Sequence, residues 1–421
     1  MALVDGVQAT WGIAALATAG VIVRPWRLPE AIWAVAGAVA LVTLGLLPWS
    51  DALAGVASGL DVYLFLTGMM LLAELARQQG LFDWLASFAV EHARGSPQRL
   101  FALVYAVGTV VTVLMSNDAT AVVLTPAVYA ATRAAGAAPL PYLFVCAFIA
   151  NAASFVLPIS NPANLVVFDG RMPQLTAWLA LFALPSAVAI AATYVALRLR
   201  LRRDLAGEKI ACEVPRPRLG RGGRWAAWGI IATAAALLAC SALDLRLGLP
   251  TFLCGAATAA IILAASRQSP WPLVRHISWG VLPLVAGLFV LVAAVERTGL
   301  IATLARILDD AVRASPSGAA WGTGILTALA CNLMNNLPVG LIAGSVLAHH
   351  SSTTIAGAAL IGVDLGPNLS VTGSLATILW LVAVRREGHD VGTWRFLGLG
   401  FVVMPPALIL ALGTLIALAP G

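Results

Sequence analysis

Apolar runs of about 20 residues, separated by Pro, Gly and short charged loops, recur along nearly the whole chain, and each is long enough to cross a hydrocarbon core of about 30 Å. Those near 7–23, 29–47, 56–76, 141–168, 175–197, 225–243, 249–266, 279–296, 354–384 and 393–418 predict ten transmembrane helices. Two further apolar stretches, 98–134 and 317–349, are interrupted midway by Ser116-Asn117-Asp118 and by Asn335-Asn336, which predicts a re-entrant hairpin in each. Two of the spans are themselves broken. The run 141–168 breaks at Pro158-Ile159-Ser160-Asn161-Pro162-Ala163-Asn164, and 354–384 breaks between Gly366 and Ser374. Unpaired backbone at membrane depth is tolerated only where protein or a water-filled cavity satisfies it, so these breaks mark the binding site.

Self-similarity at an offset of 219 residues organises the pattern: Gly68 matches Gly287, Gly80-Leu81 matches Gly299-Leu300, Ser96-Pro97 matches Ser315-Pro316, and Met115 and Asn117 match Met334 and Asn336. An odd number of spans separates the copies, which inverts the second relative to the first, the arrangement of secondary transporters. The expected class is therefore an all-α polytopic membrane protein with an inverted repeat, about ten transmembrane helices, two re-entrant hairpins and broken helices at the midplane. The expected divisions are a first helix at 1–28, one repeat at 29–200, a basic loop and linking helix at 201–248, and the second repeat at 249–421.

Composition agrees, with 60% hydrophobic residues, 10% charged and a mean hydropathy of +0.92, leaving no room for a soluble domain. The start, Met-Ala-Leu-Val-Asp-Gly, lacks the basic region and cleavage site of a signal peptide, so the first run is expected to remain as a span. The net charge of +6 does not point to nucleic acid, because the arginines cluster in the loops between spans on one face. That face is expected to be the cytoplasmic side of a bacterial inner membrane, with both termini periplasmic. The stretch 81–94, which carries His92, reads as an interfacial amphipathic helix. Cys146, Cys212, Cys240, Cys254 and Cys331 are scattered without disulfide or metal spacing, and His276, His349, His350 and His389 fall in loops or at span ends.

Asp118 and Asp364 are the acids placed deep in the membrane near the breaks, where an ionised carboxylate costs at least ~2.5 kcal/mol. They are the leading proton carriers, although Asp118 could instead cap the helix after it. Ser116, Asn117, Asn161, Asn164, Asn335, Asn336, Asn368, Thr372 and Ser374 offer donors and acceptors without formal charge, a lining for a small neutral hydroxylated solute. Any of them can equally satisfy backbone groups orphaned at a helix break. No Arg or Lys lies near the breaks, which argues against a permanently anionic substrate. Met115, Met334 and Cys331 put soft sulfur beside the tips, as possible contacts for a metalloid or as ordinary packing.

These motifs resemble the arsenite efflux permeases of the ArsB family. The resemblance rests on Met115-Ser116-Asn117-Asp118 with Leu124-Thr125-Pro126, on Ser160-Asn161 with Asn164, on Met334-Asn335-Asn336-Leu337-Pro338, and on Gly362 to Asn368 with Gly373 to Trp380. It implies export of arsenite or antimonite as neutral trihydroxides in exchange for protons. It also implies, for some members, docking of a cytosolic ATPase, for which the basic loop 198–224 is available; positive-inside orientation explains that loop as well. The chain departs from the family at Asn151, where many relatives carry an acid. A sodium/proton antiporter or sodium-coupled anion carrier is the alternative on the same scaffold. An intramembrane enzyme would need a nucleophile and base or a metal cluster, and the sequence has neither; no cofactor is implied.

Overall fold

Helices account for every regular element of the computed structural model, which describes residues 2–168, 172–206, 210–211, 217–348 and 352–418. Cys212, His349 and His350 lie outside the described residues, as do the ends of the chain at Met1 and beyond Leu418. The first half comprises α1 (Ala2–Val23), α2 (Glu30–Thr43), α3 (Trp49–Ser58), α4 (Leu60–Gln78), α5 (Leu81–Ala93) and α6 (Pro97–Leu114). It continues with α7 (Asn117–Ala119), a π turn at Thr120–Leu124, α8 (Thr125–Ala134), α9 (Leu140–Ala152), α10 (Pro162–Phe168) and α11 (Leu175–Arg200). The second half comprises α12 (Arg221–Ala242), α13 (Gly248–Ser266), α14 (Trp271–His276), α15 (Val281–Glu296), α16 (Leu300–Ala314) and α17 (Pro316–Met334). It ends with α18 (Asn336–Leu347), α19 (Thr353–Leu365), α20 (Leu375–Arg386) and α21 (Thr393–Leu418).

The order of elements recurs. α1 and α12 have 22 residues each, α9 and α19 have 13, and α11 and α21 have 26. On that ground we propose that each copy begins one helix earlier than residues 29 and 249. The return arm of the second hairpin is the main difference: α18 has 12 residues where the first hairpin runs from Asn117 to Ala134. The offset therefore falls from 219 at Asn117 and Asn336 to 213 at Pro162 and Leu375.

Helix length marks fewer crossings than the apolar runs do. Among the described residues six helices are long and apolar enough to cross a membrane, or eight if the pairs α3–α4, bent by 44°, and α15–α16, bent by 73°, each count as one span. The ten runs include two spans that are broken into short helices, and α2, whose 14 residues rise only ~21 Å. α6 is long enough to cross, yet it is a hairpin arm. Gln98 Nε2, at its start, donates to Leu205 O at 3.1 Å, while Ala211 N donates to Ala135 O at 2.8 Å, so one loop holds both ends of 97–134 on the same side.

Packing crosses between the halves. α4 lies against α13, α15 against α2, and α11 against α21, while α10 meets the hairpin arm α18 and α20 meets the π turn and α8. Apolar helices in lipid associate through close van der Waals contact, which small residues allow. A Cβ on Gly68 of α4 would stand 2.4 Å from Thr251 O of α13, and one on the equivalent Gly287 of α15 would stand 2.7 Å from the Ala34 carbonyl carbon of α2.

At 81–94, read from the sequence as an interfacial helix, α5 covers its apolar stripe with protein: Leu81, Phe82, Ala86, Ser87, Ala89, Val90 and Ala93 are buried as it packs on α4, α6 and α8. Only its Asp83, Glu91 and His92 edge is exposed. Its counterpart α16 is the exposed one, burying only Ile301 and carrying an Arg313–Asp310 ion pair on its surface. Amphipathic periodicity alone does not say whether the apolar stripe is covered by protein or by lipid.

Candidate functional site

Each hairpin turns on its polar pair because the backbone must leave the helix there and needs side chains to cap the returning arm. At the second tip Asn335 takes φ 76° with ψ 154°, a positive-φ extended conformation that glycine adopts most readily. Its Oδ1 accepts from Leu337 N at 3.4 Å, capping α18, and its Nδ2 donates to Thr372 O at 3.4 Å. The neighbouring Asn336, like Asn117 at the first tip, is left to face inward.

A narrow cleft of about 10 Å³ lies where the tips and breaks meet. Asn117 and Asp118 come from the first hairpin, Asn336 from the second and Asn161 from the first broken span, with Leu66 of α4 and Val281 of α15 as apolar walls. No Arg or Lys lines it. A second cavity shares Asp118 and Pro162 with this cleft and extends past Ser116 to Glu74 at the end of α4 and to His276 and Ser278 after α14. Asp118 thus stands where cleft and vestibule join.

Asp364 is almost wholly enclosed at 1% exposure and does not line the cleft. Asn161 links the two, since Asn161 Nδ2 donates to Asp364 Oδ1 at 2.6 Å while its own Oδ1 accepts from Ala163 N at 3.0 Å. Asp364 Oδ2 has no hydrogen-bond partner, and neither have Asn117 Oδ1 and Asn164 Oδ1. Buried polar atoms are rarely left so.

The remaining polar residues serve mainly the breaks. Asn164 Nδ2 reaches the carbonyls of Ser154, Leu157 and Pro158 at 3.0, 3.2 and 3.3 Å. Ser374 Oγ accepts from Thr377 N at 3.1 Å, capping α20, and donates to Asn151 Oδ1 at 3.2 Å. Asn151 Nδ2 donates to Asn368 Oδ1 at 3.0 Å and to Thr377 Oγ1 at 3.2 Å, and Asn368 Nδ2 donates to Phe148 O at 3.1 Å. Thr372 Oγ1 donates to Asn332 O at 3.1 Å.

Sulfur is not gathered at the cleft. Met115 is buried, Cys331 is buried with its thiol 3.7 Å from Val363 O, and Met334 lines an apolar groove beneath α16. Among the described residues no group of three or more His, Cys, Asp or Glu side chains could hold a metal. Two elements of the site were not singled out from sequence. Glu74 sits in the vestibule wall, held by Arg77 Nε at 2.7 Å and Gln78 Nε2 at 2.8 Å. Asn332 binds the second break through Gly366 O at 3.0 Å and Ser370 Oγ at 2.7 Å, and its one signal was its place a helical turn before Asn336.

Comparison with known proteins places this geometry among transporters. The family model described as citrate transporter, CitMHS, matches residues 15–384. An arsenical pump membrane protein of Escherichia coli is 27% identical over 367 residues, covering 82% of this chain and 84% of that one. An arsenical pump membrane protein of Yersinia enterocolitica has the same identity and coverage. An uncharacterized transporter of Mycobacterium tuberculosis is 24% identical over 415 residues, covering 93% and 94%. Among solved structures, the Alcanivorax borkumensis YdaH transporter superposes with a TM-score of 0.60 at 15% identity over 88% of this chain and 89% of that one, a likeness of fold.

Proposed function

Because the chain belongs to the citrate transporter family and is a multi-pass membrane transporter, we propose that it exports arsenite, and antimonite, as neutral trihydroxides in exchange for protons. The observation that carries this reading is the cleft itself: Asn117, Asn161 and Asn336 with one acid, Asp118, and no cationic side chain. A polyanion such as citrate would enter that lining with nothing but helix N-termini to hold its charge. An uncharged polyhydroxy solute finds donors and acceptors from both repeats. The names of the arsenical pump relatives favour As(OH)₃ among such solutes.

Asp118, at the junction of cleft and vestibule, and Asp364, behind Asn161, are the proposed proton carriers. The vestibule leads toward the ends bearing Arg77 and Arg275, so the positive-inside rule makes that side cytoplasmic and the structure inward-facing. A bacterial inner membrane and periplasmic termini follow from the same rule. A cytosolic ATPase, where one is used, would dock on the basic loop 198–224, which positive-inside orientation explains as well.

A second reading, sodium coupling, draws on the buried oxygens of Asn117, Asn164 and Asp364 left without a hydrogen-bond partner among the described residues, each of which could accept a cation. One experiment separates the two. Purified protein in liposomes should accumulate arsenite when a pH gradient is imposed in sodium-free buffer, and Asp364→Asn should weaken the response to pH. Uptake that requires sodium, or no arsenite flux at all, would refute the proton-exchange proposal.

A further inference from the structure

The repeat pairs not only residues but hydrogen bonds. At the offset of 213 that relates the broken spans, Asp364 of α19 corresponds to Asn151 of α9, and Ser374 before α20 corresponds to Asn161 before α10. Asn161 Nδ2 donates to Asp364 Oδ1 at 2.6 Å, and Ser374 Oγ donates to Asn151 Oδ1 at 3.2 Å. In both cases the residue after one break reaches across to the last turn of the other copy's half-helix. Both acceptors are 1% exposed. The same bond is therefore made twice, once to a carboxylate and once to an amide.

The two positions differ in how fully they are used. Asn151 spends its amide group on Asn368 Oδ1 and Thr377 Oγ1 and its carbonyl oxygen on Ser374, whereas the Asp364 carboxyl is met by Asn161 and Ser154. Ser154 stands beside both, its hydroxyl donating to Asn151 O at 2.7 Å. No ionisable side chain is hydrogen-bonded to Asn151. The acids on the helices packed against α9 are Asp364 on α19 and Asp118 on α7, and the arginines of those helices, Arg133 and Arg385 among them, stand in terminal turns.

We infer that Asn151 is the silent twin of Asp364: the fold provides two equivalent proton positions at its broken spans, and the amide at Asn151 keeps one of them permanently out of the transport cycle. An acid at 151 has the partners to work. Protonated, its O–H can replace the amide donor toward Asn368 Oδ1; deprotonated, it can accept from Ser374 and from a rotated Thr377 hydroxyl. Loading and release of that second proton would couple to the same motion that opens Asp364, because each break is fastened to the other copy's half-helix. This position thus decides whether one further proton is exchanged per substrate molecule.

This inference rests on the proton-exchange reading, and its test distinguishes the two. Full-length protein in liposomes, with membrane potential clamped to zero, is assayed for the arsenite ratio at zero net flux as a function of the pH difference. Each coupled proton contributes about a tenfold ratio per pH unit. Asn151→Asp should steepen the dependence by one further factor of ten per unit. The exchange variant N151D/D364N should restore the wild-type dependence that Asp364→Asn alone loses. Asn151→Ala, which carries no proton either, should keep the wild-type slope. A folded N151D with unchanged slope, a folded but uncoupled exchange variant, or an altered slope in N151A overturns the assignment. A wild-type ratio indifferent to the pH difference instead removes the proton-exchange reading itself.

Discussion

Asn161→Ala probes the connection between cleft and buried acid. The substitution deletes the 2.6 Å donor to Asp364 Oδ1 and leaves the ionised carboxylate with Ser154 as its remaining side-chain donor. A hydrogen bond to a charged group contributes about 1.5–3 kcal/mol, which corresponds to roughly 10- to 150-fold in the population of the deprotonated intermediate. Turnover limited by that intermediate should fall by a comparable factor. Because Asn161 also lines the cleft, KM should rise by roughly 2- to 10-fold, the loss of one neutral hydrogen bond, and turnover is therefore read at saturating arsenite. Loss of the cap to Ala163 N costs about 1 kcal/mol of stability as well, so thermal denaturation in detergent must accompany the kinetics. The repeat supplies the conservative control: Asn161→Ser copies Ser374, whose hydroxyl makes the equivalent bond at 3.2 Å, and should keep most of the rate. The assay is initial arsenite uptake into liposomes under a fixed pH gradient. Wild-type turnover in folded N161A, or equal loss in N161A and N161S, would show that this bond does not govern the acid.

Other positions give independent expectations. Asn117→Ala and Asn336→Ala should each raise KM by roughly 2- to 10-fold, the loss of one neutral hydrogen bond, with little effect on melting temperature; equal KM values in both variants and the wild type would place substrate elsewhere. Gly68→Ala forces α4 from α13, since its Cβ would lie 2.4 Å from Thr251 O, and should cost about 1–3 kcal/mol by thermal denaturation. Gly12→Ala, with nothing within 4 Å, should be neutral or stabilising on the same measurement. At Asn335, where φ is 76° and ψ 154°, glycine should hold the melting temperature better than alanine: both lose the cap to Leu337 N, worth about 1 kcal/mol, but only glycine also sheds the Cβ strain that Asn and Ala share; alanine matching glycine would mean that the tip relaxes.

Much of this site can be read from the sequence because membranes make polar residues conspicuous. An apolar run of the required length is interrupted only at a cost, so Asn117, Asn336 and the two breaks stand out against Leu, Val and Ala, and the structure brings Asn117, Asp118, Asn161 and Asn336 to one cleft. What the pattern does not distinguish is a polar residue that faces a cavity from one that repairs the backbone beside it. Asn164, Asn335, Thr372 and Ser374 have the same composition as the cleft residues yet are committed to carbonyls, helix caps and other side chains. The direction of a side chain at a break depends on dihedral angles that periodicity does not encode. Glu74 escaped notice for the opposite reason, since a charge near a helix end next to Arg77 reads as a solvated pair, whereas the fold turns it into the vestibule wall. Likewise α5 and α16 share a repeat position and an amphipathic pattern, and only packing partners separate the buried helix from the exposed one.

The crossed pairing of α4 with α13 and of α2 with α15 sets a schedule for biosynthesis. α4 leaves the ribosome about 190 residues ahead of α13, a wait of roughly 10–40 s at 5–20 residues per second. During that interval Gly68 and the polar first hairpin face lipid or insertion machinery without their eventual neighbours. Neither half can reach its final packing alone, so a chain truncated after α11 should be short-lived in the cell, and the protein's yield should depend on how long the membrane insertion machinery retains its first half.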